Sequence, residues 1–199
     1  MSVAAIVSTV FTPELFVLLT TLLLVGYEHR DDLSLTPVTA RLSVVAAAWV
    51  LAFAVYVVGS RRFTAVPGGD DFFAALGLIV AFAGIGLVWR RRDWGKLIPP
   101  YAALLVATSL LHLVVVPLWD ASSHVIYAAV TAGELVAVDR RFAPLLAVPL
   151  LLVWSRIATG AHTVDEAVGG LVVAGVIVGT ALAFDRLPTE AEGTGVEPL

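Results

Sequence analysis

The chain has no cysteine, a single methionine and few charges: only 14% of its 199 residues are Asp, Glu, Lys or Arg. Without cysteine there is no disulfide framework and no thiolate for catalysis or metal binding. A soluble domain carries about 25% charged residues, so most of this chain is not made to face water. The net charge of −4 excludes a broad basic surface, and with it nucleic acid as a partner. The opening MSVAAIVSTV contains no basic residue, so no cleavable signal peptide is expected. What fills the chain is apolar: 59% of residues are hydrophobic and the mean hydropathy is +0.95. Several runs reach the roughly 20 residues that cross a bilayer as helix. The fold class expected is all-α, a polytopic transmembrane bundle in contact with the lipid bilayer.

Hydropathy and its punctuation predict six to seven spans. The first lies within 3–27, where Thr12-Pro13-Glu14 interrupts it. Thr12 as N-cap with Pro13 at the first helical position shortens that helix to about 13–27. The others run over about 37–59, 71–89, 97–118, 122–138, 142–158 and 164–185. Residues 1–185 read as one bundle with no internal repeat, and 186–199 as a polar, disordered tail.

Basic residues set the expected orientation. Nine of the twelve, Arg30, Arg41, Arg90, Arg91, Arg92, Lys96, Arg140, Arg141 and Arg186, fall on one side, and Arg61, Arg62 and Arg156 on the other. The positive-inside bias puts the larger group in the cytoplasm and the amino terminus outside. The loops near 119–123 and 159–163 then share the outer face. Glu134 reads as interfacial, paired with Arg140 or Arg141.

The second of those loops is dense in polar chemistry. In SRIATGAHTVDEAVGG, Ser155–Gly170, Gly160 permits a tight turn between two helices. His162 and Glu166 stand four apart, so on a helix they share a face. A carboxylate on one imidazole nitrogen fixes the tautomer and leaves the other nitrogen free to attack or to take a proton. Arg156, six residues back, offers a planar fork for an anion, and a helix amino terminus also favours one. On the other loop, Ser122 and Ser123 precede His124 in WDASSHVIYAA. Those serines can cap a helix or donate to an anion, and His124 can protonate a leaving oxygen. Plainer readings stand beside these. Thr163-x-x-Glu166 is a capping box, Asp165 suits the first turn of a helix, Arg156 can snorkel to headgroups, and His112 can be a packed, neutral histidine.

These two stretches resemble signatures of the type 2 phosphatidic acid phosphatase/haloperoxidase superfamily. Ser155, Arg156 and His162 match SRxxxxxHxxxD, with Glu166 in place of the aspartate and Gly170 four residues on. Ala121 to His124 resembles PSGH, keeping Ser122 and His124. The resemblance covers about 97–185, implying a lipid-phosphatase-like core in the C-terminal half. It implies hydrolysis of a membrane lipid phosphate or (poly)prenyl pyrophosphate with no metal and no cofactor. His162 would form a phosphohistidine, Glu166 orient it and His124 act as general acid. Arg156, Ser155, Ser122 and Ser123 would hold the phosphate, with His112 and Asp165 as further candidates.

The first signature, KxxxxxxRP, is degenerate here. Over His112–Asp120, His112 stands for the lysine, Trp119 for the arginine and Asp120 for the proline. One lost oxyanion donor costs about 10²–10³ in rate. A non-catalytic membrane relative that binds an anion or a lipid, or serves as a scaffold, is therefore the rival reading. A transporter-like path through His112, His124 and Glu166 is a third. The implied location is the cell membrane, with the mouth of the site outside.

Overall fold

A computed structural model describes residues 1–30, 35–64, 66, 69–115 and 118–184. The expected tail at 186–199 lies outside the described residues. Eight α-helices follow in order: α1 Val3–Val10, α2 Pro13–Glu28, α3 Leu35–Arg62, α4 Gly69–Arg92, α5 Ile98–Val115, α6 Ser123–Val138, α7 Ala147–Ala158 and α8 Val164–Ala183. A 3₁₀ turn at Arg140–Leu146 leads into α7. Among the described residues there is no β-strand. Five helical stretches among the described residues are long and apolar enough to cross a membrane, and α1 with α2 would make a sixth. The chain is an all-α polytopic bundle.

The break after α1 has a local cause. Thr12 caps α2, its hydroxyl accepting from the Leu15 N–H at 3.4 Å, and Pro13 occupies the first turn, where a missing N–H costs nothing. The two helices meet at a 53° bend, and α1 lies against α7. There the Ser155 hydroxyl donates to the Ala4 carbonyl at 2.6 Å and lies 2.6 Å from the Ser8 hydroxyl.

The shorter helix α6 is the hub. It packs against α2, α5, the 3₁₀ turn, α7 and α8, whereas α3 packs against α4, and α4 against α5. Lipid tails are as apolar as leucine, so close packing rather than water exclusion holds such a bundle together. Phe16, Val125, Ala128 and Leu152 interlock between α2, α6 and α7. Phe82, Ile85, Trp89, Tyr101 and Leu105 fill the space between α4 and α5. The central position of α6 overturns the expected pairing of Glu134 with Arg140 or Arg141. That residue is fully buried, and neither carboxyl oxygen has a hydrogen-bond partner. It faces the interior near Tyr101, while Arg141 lies beside Asp139 instead, at 4.0 Å.

Asp139 locks the corner between α6 and the 3₁₀ turn. The Arg141 backbone N–H donates to it at 2.8 Å and the Tyr27 hydroxyl at 3.0 Å. Those donors, the backbone one most, hold its carboxyl below the ordinary carboxylate range. The corner's contribution is therefore complete above the ordinary carboxylate pKa of about 4 and is lost as pH falls through the lowered folded value.

Two predictions follow from this packing, both read by thermal unfolding in detergent. Glu134→Gln, which keeps the shape and removes the ionisable group, is expected to hold or raise the midpoint. A clear drop would mean that the bundle uses a charged carboxylate there. Asp139→Asn is expected to flatten the fall of the midpoint at acid pH; an unchanged acid limb would refute the assignment.

Candidate functional site

The α7–α8 connection is a helix stop with a defined hydrogen-bond pattern. Gly160 adopts a φ of +68°, the left-handed region that glycine enters without a Cβ penalty. Its N–H donates to the Ile157 carbonyl at 3.0 Å, and the Ala161 N–H donates to the Arg156 carbonyl at 3.0 Å. This pair of bonds is the Schellman pattern. The His162 N–H reaches the same Arg156 carbonyl at 3.3 Å. The turn thus fastens the backbone of the histidine to the backbone of the arginine six residues earlier.

Helix α8 then starts at its N-cap, Thr163, whose N–H donates to Glu166 Oε2 at 2.8 Å. The same oxygen stands 3.5 Å from His162 Nδ1, and Asp120 Oδ2 stands 4.0 Å from that nitrogen. The capping and orienting readings of Glu166 are therefore compatible, since one carboxylate faces both groups. The His162 side chain is only 8% exposed, while Asp120 at the rim is 61% exposed. With Nδ1 turned to carboxylates, Nε2 is the nitrogen left for chemistry.

The start of α6 is clasped to the start of α8. The Ser122 N–H donates to the Glu166 carbonyl at 3.2 Å. Gly170 makes this approach feasible: a Cβ there would lie 3.1 Å from Val125 and 3.2 Å from the Ser122 carbonyl. The clasp brings His124 to His162, and the charges of Arg156 and His162 both act on the His124 ring. Ser122 Oγ, His124 Nδ1, Arg156 Nε and His162 Nδ1 are buried without a hydrogen-bond partner. Buried polar groups ordinarily have partners, so a cluster of orphans at one mouth calls for a polar ligand.

The other expected residues are placed differently. Ser155 is not available to a ligand, because its hydroxyl is bound to α1. Ser123 opens α6 beside the clasp and is partly buried. Asp165 is exposed, next to Thr163 and the Trp119 side chain. Trp119 lies over Gly169, where a Cβ would come within 1.9 Å of the ring. His112 is buried in α5 with its ring 5.9 Å from that of Tyr127, and it feels Asp71 and Asp120. A groove of about 810 Å³ between α5 and α8, lined by Arg90, Pro100, Leu111, Ile177 and Phe184, contains none of these residues.

Asp71, in the first turn of α4, escaped the sequence reading. The charges that act on Arg156 are those of Asp71 and Asp120, not of Arg61 or Arg62 at the end of α3. The only advance sign of it was the Asp70-Asp71 pair at the start of an apolar helix. Asp120, His162 and Glu166 each present one ligand atom within 4.8 Å of the others, a set able to hold a metal ion. Comparison of the chain with protein-family models, curated proteins and solved structures found no match.

The left-handed turn yields a test that needs no substrate. Gly160→Val places a branched residue at positive φ and is expected to cost about 1–2 kcal/mol. Gly160→Asn, which tolerates that conformation, is expected to cost clearly less. Equal thermal midpoints for the two variants would show that the turn does not depend on the left-handed residue.

Proposed function

We propose that the protein hydrolyses a phosphomonoester or pyrophosphate of a membrane lipid, with His162 as nucleophile, at the outer mouth of a bundle in the cell membrane. The observation that carries this reading is the meeting of His162, His124, Arg156 and Ser122 at one mouth, the last three each with a buried polar atom lacking a partner. Those three side chains can donate to an oxyanion, and His162, with Nδ1 turned to Glu166, keeps Nε2 for attack. The match of these same residues to the lipid-phosphatase signatures adds to the reading.

Glu166 holds a proton on His162 Nδ1, which directs the Nε2 lone pair outward. Nε2 attacks phosphorus in line, an N–P bond forms, and the bond from phosphorus to the leaving oxygen breaks. His124, in its protonated form, gives its proton to that oxygen. Arg156 holds the transferred group with its fork, and the Ser122 hydroxyl and Ser123 N–H complete the cradle. A water then attacks phosphorus, His124 takes its proton, and the N–P bond breaks to return neutral His162. The rival, a protein that binds an anion or lipid without turnover, is favoured by one observation. Beside Arg156 stand carboxylates where further cations would be expected.

The test uses purified full-length protein and a panel of lipid phosphates and pyrophosphates in magnesium-containing buffer. Wild type is expected to release phosphate and, with ³²P-labelled substrate, to carry an acid-labile, base-stable label. His162→Ala is expected to lose both, and Arg156→Ala to lose about 10²–10³ in rate. Undiminished turnover by His162→Ala would remove it as nucleophile. Absence of turnover by wild type across the panel would leave the binding reading in its place.

A further inference from the structure

The charge around Arg156 is the wrong sign for a bare phosphate. Asp71 from α4 and Asp120 from the α5–α6 loop both act on this guanidinium, and Glu166 from α8 stands 3.5 Å from the His162 ring. The remaining groups at this mouth are histidines, His112 from α5, His124 from α6 and His162 itself, with exposed Asp165 on the first turn of α8. Two carboxylates thus act on one permanent cation, and a third faces the neighbouring imidazole. Asp120 is the most telling of them. It is 61% exposed, its ion-pair neighbour is His162 at 4.0 Å, and among the described residues no lysine or arginine lies within ion-pair distance of it. A dianion set beside it meets like charge, which works against binding.

We infer that the site takes its phosphate together with a positive charge carried in by the ligand, and that this charge sits against Asp120 at the rim. This rests on the phosphate reading given above and narrows its substrate class. The cation is either a divalent metal chelated by a pyrophosphate or an ammonium on the headgroup next to the phosphate. The first has a ready chemical form: magnesium keeps several waters and is held by one or two carboxylates together with substrate phosphates. Asp120 supplies such a carboxylate, with Asp71 adding negative charge nearby. In the phosphate reading His162 Nδ1 is turned to Glu166 Oε2 at 3.5 Å, so it is not counted among the ligands. The orphan donors Ser122 Oγ, His124 Nδ1 and Arg156 Nε remain for the phosphoryl oxygens. Trp119 and Asp120 then stand where the resemblance expects an arginine and a proline because the counter-charge travels with the substrate.

Binding, not turnover, tests this. Equilibrium dialysis of ³²P-labelled inorganic pyrophosphate against the full chain in detergent is run with magnesium and with chelator. A parallel arm compares phosphoethanolamine with inorganic phosphate in chelator. We expect at least about tenfold tighter binding with the accompanying cation in one arm. Tightening in the first arm names the metal, and tightening in the second names the ammonium. Asp120→Asn, at an exposed position that packing does not need, is expected to bind the bare anion more tightly and to lose most of that dependence. His162→Ala is expected to keep the dependence, so an inactive wild type would not touch the result. Equal or weaker binding with the cation in both arms overturns the inference, as does an unchanged cation dependence in Asp120→Asn, even if lipid phosphates are hydrolysed.

Discussion

The clasp between the starts of α6 and α8 governs the geometry of the site, and Glu166 is its centre. The Glu166 carbonyl receives the Ser122 N–H, while one oxygen of its carboxylate receives the Thr163 N–H and faces His162 Nδ1. A single residue therefore sets the spacing of two helices, the entry of one of them and the orientation of an imidazole. Gly170 eases this approach, since a Cβ there would sit 3.1–3.2 Å from Val125 and the Ser122 carbonyl, and the neighbours would have to give by a few tenths of an ångström. The Schellman turn adds the second fixed distance by fastening the His162 backbone to that of Arg156.

Around this centre the bundle separates structural polarity from polarity left available. Ser155 satisfies α1, Asp139 satisfies the turn after α6, and Glu28 accepts from Trp89 Nε1 and the Leu97 N–H. Each is a closed set of donors and acceptors, as an apolar surrounding demands. At the mouth the sets are open: a hydroxyl, two imidazoles and a guanidinium keep unpaired buried atoms. That contrast within one molecule gives the mouth its chemical meaning. Glu134, deep in the bundle, keeps unpaired buried oxygens too, as do His112 at Nδ1 and Arg41 at Nε.

Electrostatics gives the site its individuality. Carboxylates from α4 and from the α5–α6 loop act on one guanidinium, and one from α8 faces the neighbouring imidazole. A mouth of that charge works against an anion that brings no cation with it.

Much of this was legible in the sequence because it is local. Apolar runs specify helices in a bilayer, Thr12-Pro13 specifies the break before α2, and Gly160 specifies the turn. The capping box Thr163-x-x-Glu166 was legible too, and it rather than a shared helix face turns Glu166 towards His162, which precedes the helix; parity of spans put the two histidine loops at one end. Tertiary structure decided what depends on which helices become neighbours. It made α6 the hub and so buried Glu134, which the chain's own charge pattern had paired with Arg140 or Arg141. It gave the Ser155 hydroxyl to α1, and it brought Asp71 to Arg156 across more than eighty residues of chain. Local chemistry sets the shape of each segment, but long-range charge and burial follow from packing, and no short stretch of sequence contains its own neighbours.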